Sequence, residues 1–201
     1  MTKGSSFRSL AVLAVAATAV ACDRAEPVAV QEDAWDVLTT ESPAEAMHNP
    51  RQMEGPVWEA VLTPLNAHAG SRAVTGKAVL TMDGDGTLSV SMDVRGVDAG
   101  QLHAQHIHGH GGEATCPTPQ ADADGDGLVS VGEGVPDYGG VLVPLMPFPT
   151  PDGNRYHYEQ MFEGQGDLDP ASRAIVVHGA FVEGEYVVSL PVACGTIDRV
   201  R

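Results

Sequence analysis

Positive charge is scarce in this 201-residue chain: 11 Lys and Arg stand against 27 Asp and Glu, a net charge of −16. A face that neutralises phosphates needs clustered Lys and Arg, so this balance excludes a nucleic-acid binder of that kind and makes cations the natural partners. Aromatic residues are few at 5%, whereas glycine (23) and proline (14) are frequent, which argues against a long helical bundle and for short strands joined by many turns. Cysteine occurs only three times. The apolar run Leu10 to Ala21 is too short to span a bilayer as a helix. What is present, 43% apolar residues over this length, suffices for one domain with a buried core plus extra segments.

That apolar run follows Lys3 and Arg8 and has the layout of a secretion signal, residues 1–21. Cys22 comes next. The tetrad Ala19-Val20-Ala21-Cys22 resembles a bacterial lipobox with alanine in place of the usual leucine, so Cys22 is expected to be lipidated; the other reading is a plain secretory signal cut at Ala21. Either way the mature chain lies outside the cytoplasm; the lipidated reading places it in the cell envelope, touching a membrane through the lipid anchor only. Cleavage discards Lys3 and Arg8 but no acid, leaving 9 basic against 27 acidic residues, or −18. In an oxidising compartment the two remaining thiols, Cys116 and Cys194, are read as one disulfide. Residues 22–55 are acidic and proline-containing without sustained apolar period, the composition of a tether, with a short helix conceivable around Ala34 to Thr39.

From residue 56 to 201 the pattern changes to short β-branched runs: Val57 to Leu62, Lys77 to Met82, Thr87 to Arg95, Leu102 to His108, Val141 to Leu145, Tyr156 to Phe162, Arg173 to Gly179, Tyr186 to Leu190 and Ala193 to Ile197. The stretch Thr87 to Val94 alternates strictly, as a half-buried strand does. Asp83-Gly84-Asp85-Gly86 reads as a hairpin turn, because Asp-Gly supplies the positive φ that tight turns demand. The fold class is therefore all-β: an antiparallel Greek-key barrel or sandwich of about eight strands, with a long calcium-loop insertion.

Two constellations carry chemistry. In Leu102-His103-Ala104-Gln105-His106-Ile107-His108-Gly109-His110, side chains two apart on a strand share a face, so His106 and His108 can present imidazoles to one ion while Ile107 packs on the other side. His178 ends the apolar strand Ala174 to Val177. Three converging imidazoles suit copper or zinc rather than calcium or magnesium. The alternative reading is surface or hydrogen-bonded structural histidines. The second constellation, Asp122 to Glu133, matches the twelve-residue calcium loop D-x-D-x-D-G-x-(I/L/V)-x-x-x-E, with Asp122, Asp124, Asp126, the Leu128 carbonyl, Ser130 and Glu133 as ligands. Prolines and glycines on both sides predict an isolated loop without flanking helices.

The run Gly96 to His108 resembles the copper/zinc superoxide dismutase segment containing G-L-H-G-F-H-V-H, and Cys116 follows where that family has its first disulfide cysteine. Ser172 to His178 is similar to G-R-T-L-V-V-H, and Ala193-Cys194-Gly195-Thr196-Ile197 to A-C-G-V-I. The His-Ile-His-Gly passage with Trp58-Glu59-Ala60-Val61-Leu62 also resembles chordin-type (CHRD) domains of secreted bacterial proteins. The first resemblance implies copper on His106, His108 and His178, with His110 or His157 as a candidate fourth ligand, His103 as a structural histidine and Cys116 bonded to Cys194.

Between Cys116 and His178 that family places a bridging histidine, two zinc histidines and a zinc aspartate; this chain has only His157 there. The family's anion-guiding arginine falls on Pro191, with Arg173 the nearest basic residue in sequence. The implied function is a metal-binding, superoxide-dismutase-like envelope lipoprotein, with metal ions and superoxide as partners and weak copper-dependent dismutation. The alternatives are a non-catalytic copper-sequestering module, and a CHRD-like extracellular binding module with structural calcium.

Overall fold

In the computed structural model, residues 55–67, 69 and 72–200 are described. The expected signal, lipidated Cys22, the Ala34 to Thr39 helix and all of the tether but Gly55 lie outside them. Eight strands form: β1 (Val57–Pro64), β2 (Thr75–Met82), β3 (Leu88–Arg95), β4 (Gln105–Gly109), β5 (Gly140–Pro144), β6 (Arg155–Phe162), β7 (Ala174–Val182) and β8 (Glu185–Arg199). They make one curled antiparallel sheet in the order β5-β4-β7-β8-β1-β2-β3-β6, so the chain crosses over between β3 and β4 and again on either side of β6. The all-β expectation of about eight antiparallel strands is met.

Alternation explains the core. One face of β1 to β3 contributes Trp58, Ala60, Leu62, Ala78, Leu80, Leu88, Val90, Met92 and Val94, which pack with Ile107, Val143, Ile175, Val177, Val192 and Ile197 inside the curl. The Asp-Gly hairpin forms as read, with the Asp83 amide donating to the Thr87 carbonyl at 3.0 Å and the Gly86 amide to the Asp83 carbonyl at 3.0 Å. The run Ala174 to Val177 is apolar throughout because both its faces are covered. Ile175 and Val177 face the main core, while Ala174 and Val176 join Leu65, Ala114, Val129, Tyr138 and Cys194 beneath the segment that leads into β5.

Two expectations are corrected. Tyr186 to Leu190 and Ala193 to Ile197 are not separate strands but one, β8, which carries Pro191 through a register shift opposite His178. A proline has no amide to give the ladder, so it fits where the ladder is interrupted. The acidic loop is also not isolated: helix α1 (Val131–Tyr138) follows it directly, with a short 3-10 turn, Pro119–Ala121, before it. Ser130 caps α1, and the Ser130 and Glu133 side chains form a reciprocal capping box that outweighs the missing amide of Pro136 in so short a helix. The disulfide joins Cys116 to Cys194 across a sequence separation of 78, tying the start of this loop region to β8. Asn66 makes a second tie, its Nδ2 donating to the Val129 and Pro191 carbonyls at 2.9 Å each while its Oδ1 accepts from the Val129 amide at 2.8 Å.

Candidate metal centre

Strand pairing brings the three histidines together. His106 is in register with Val176 and His108 with Ala174, so both rings lie on the face of β4 and β7 away from the main core, and His178 falls on that same face two residues beyond Val176. One ligand atom from each of His106, His108 and His178 lies within 4.8 Å of the others. The ring centroids are 5.2 to 5.8 Å apart.

Hydrogen bonding then decides which nitrogen of two of the rings is free. His108 Nδ1 stands 3.0 Å from the Gly139 carbonyl and His178 Nδ1 stands 2.8 Å from the Ser189 carbonyl. A carbonyl oxygen only accepts, so each Nδ1 carries the proton and each Nε2 keeps a lone pair. Both Nε2 atoms, together with His106 Nδ1, are buried without a hydrogen-bond partner. Buried polar atoms are nearly always paired, so three unpartnered ring nitrogens in one group of histidines mark a candidate metal site.

Electrostatics agrees with that donor set. Desolvation by burial, reinforced by the neighbouring His108, pushes His106 down to about 4. Burial likewise brings His178 to about 4, against the raising effect of the Ser189 carbonyl, and lowers His108 despite the Gly139 carbonyl. All three rings are therefore neutral near pH 7, the state in which imidazole binds metals.

The walls of the centre were not legible as site residues. Tyr138, at the end of α1, sets its ring 4.7 Å from that of His108, and Phe148 sets its ring 5.3 Å from that of His106. Gly139 holds φ +84°, and a Cβ there would run into the Gly109 carbonyl; only glycine lets this carbonyl come up under His108. His103 is fully buried, with Nδ1 3.1 Å from the His178 carbonyl and Nε2 3.1 Å from that of Asp98, as suits a structural histidine.

Neither suggested fourth ligand joins the group. His110 is exposed and its Nδ1 accepts from the Gly112 amide at 2.9 Å. His157 sits on β6, the far end of the sheet order from β5 and β4, between Asp93 (3.0 Å) and Glu159 (3.1 Å). Burial lowers its pKa, but the two carboxylates outweigh this and hold it above the usual value. Arg173 Nη1 donates to the carbonyls of His110, Gly112 and Ser172 at 3.2 to 3.3 Å, which fastens the loop after β4.

In the acidic loop the carboxylates of Asp122, Asp124 and Asp126 converge. Asp122 accepts from the amides of Gly125 and Gly127, Asp124 from that of Asp126, and Asp126 from that of Leu128. Glu133 closes the loop by accepting from the Ala123 and Ser130 amides at 2.8 Å each. The Ser130 amide first, then that of Ala123, pulls its pKa down to about 2.

No family model matches the chain, and no curated protein matches it. Among solved structures it is similar to superoxide dismutase 5 of Candida albicans in its Cu(II) form, at 16% identity over 73% of this chain and 94% of that one, with a TM-score of 0.42. Two single-substitution variants of the same protein match at 16% identity, 73% and 93% coverage and a TM-score of 0.41.

Proposed function

We propose that the chain is an exported, superoxide-dismutase-like metalloprotein that holds copper, or zinc in its place, through His106 Nδ1, His108 Nε2 and His178 Nε2. The observation that carries this reading is the grouping of three histidines on neighbouring strands, each with a buried, unpartnered ring nitrogen. Softer N-donor sites of this kind suit copper and zinc. Copper bound there would supply the one-electron chemistry that dismutation of superoxide requires. The Gly139 and Ser189 carbonyls fix the tautomers of His108 and His178, and Tyr138 and Phe148 fill the space beside the rings. The segment before that, residues 1–55, is read as the signal, the lipidated Cys22 and the acidic tether to the envelope.

One observation favours weak turnover or none. His157, the sole histidine between Cys116 and His178, is held by Asp93 and Glu159 and is not among the three grouped rings, so it does not serve there as a proton relay. Sequestration or delivery of copper is thus the second reading.

For the acidic loop we propose calcium, on Asp122, Asp124, Asp126, the Leu128 carbonyl, Ser130 and Glu133, with a stabilising role. A cation bound only by the folded state raises its stability.

Copper loading of the mature protein tests the centre. One tightly held copper per chain, with an electron paramagnetic spectrum of nitrogen ligation that is lost in His108→Ala and in His178→Ala, is the expected result. Superoxide removal by the loaded protein would make it an enzyme; bound copper without turnover would make it a sequestering module. Calcium found with neither copper nor zinc retained would leave a CHRD-like extracellular module in which the histidines are structural.

A further inference from the structure

On the sheet's outer face, β2, β3 and β6 carry their polar side chains in rows. Register sets Lys77 beside Asp93 and Asp93 beside His157; the neighbouring row sets Thr75 beside Arg95 and Arg95 beside Arg155. An open groove of about 630 Å³ runs here, walled by Lys77, Asp93, Arg95, Arg155 and His157.

The first row neutralises itself. Lys77 Nζ pairs with Glu59 at 2.7 Å, and His157 bridges Asp93 and Glu159, so acid and base alternate across the strands. The second row does not. Thr75 is uncharged and takes only the Arg95 Nε hydrogen bond, at 3.1 Å, and among the described residues neither Arg95 nor Arg155 forms an ion pair. Register thus sets two like-charged residues, Arg95 and Arg155, directly opposite each other on adjacent strands, a placement that destabilises a sheet. Acidic side chains outnumber basic ones 27 to 11 in this chain, yet among the described residues none pairs with either arginine. A groove of this size suits a small molecule, and a guanidinium fork matches the two oxygens of a carboxylate or phosphate.

We propose that this groove binds a small oxyanion ligand, clamped between Arg95 and Arg155. The alternating first row keeps general attraction low and leaves the arginine pair as the point of capture. The proposal is independent of the metal reading, because it uses β2, β3 and β6 and none of the three grouped histidines.

The test is amide nuclear magnetic resonance of the mature chain in low salt, titrated with inorganic phosphate and, separately, with succinate. Saturable shifts at Gly76, Val94 and Tyr156 with at least one anion are expected, and the tighter of the two assigns phosphate or carboxylate as the recognised group. The double variant R95Q/R155Q should weaken that binding by about tenfold or more, as the loss of both charge-assisted forks implies. Its melting temperature without anion should equal or exceed that of the parent, since repulsion is removed, and anion should raise the melting temperature of the parent only. Absence of saturable shifts with both anions, or equal binding by the double variant, overturns the proposal.

Discussion

At His108 the tautomer is decided by a backbone carbonyl, that of Gly139, and the ring is steadied by Tyr138. The same division of labour holds at His178, where the Ser189 carbonyl takes the Nδ1 proton. These rings have a cost in acid. His106 and His178 stand near 4, and His108 is lowered from the ordinary 6.5 that all three regain on unfolding. Between about pH 6.5 and pH 4 the unfolded chain therefore binds more protons, so the metal-free protein should be fully stable above about 6.5 and lose stability as pH falls through that window. Urea midpoints at about pH 7, 6 and 5 check this; a constant midpoint would contradict it. Tyr138 is fully buried, and a Cβ on Gly134 would collide with its ring. Tyr138→Ala should cost about 3 to 5 kcal/mol in denaturant unfolding. Tyr138→Phe, which loses only the hydroxyl's 3.1 Å bond to the Val131 carbonyl, should cost about 1 kcal/mol.

Among the elements, α1 departs most from what its sequence suggests. Gly132, Gly134 and Pro136 are poor helix residues, yet the capping box starts the helix and burial of Tyr138 fastens its end. Ser130→Ala should therefore cost about 1 kcal/mol, read as a lowered unfolding midpoint. A loss well below that would show that tertiary packing alone sustains the helix. Strand β7 illustrates the opposite case. Its apolar run Ala174 to Val177 announces a strand covered on both sides, and the acidic loop region supplies the second cover. The irregularity after Val177 was not legible, because it depends on which residue of β8 comes opposite His178; that residue is Pro191.

For the molecule as a whole, the Cys116–Cys194 bond ties the loop region to the middle of the sheet across 78 residues. Closing a loop of that length is worth about 4.5 kcal/mol in the chain-entropy view. Reduction should lower the unfolding midpoint accordingly and loosen α1, because Cys194 shares a packed cluster with Tyr138. Calorimetry with and without reductant reads the effect, and an unchanged melting temperature would refute it.

Local periodicity and turn chemistry were enough to determine the all-β class, most strand positions, the Asp-Gly hairpin, the face shared by His106 and His108, and the aspartates of the acidic loop. Each depends on neighbours within a few residues, where alternation and backbone sterics act directly. Other features depend on contacts between residues far apart in sequence. The convergence of His178 with His106 and His108, the carbonyls that set their tautomers, the exclusion of His110 and His157, and the opposed pair Arg95 and Arg155 all follow from strand order and register. Register is settled by which hydrophobic faces must be buried together, and that is a property of the assembled sheet rather than of any one segment.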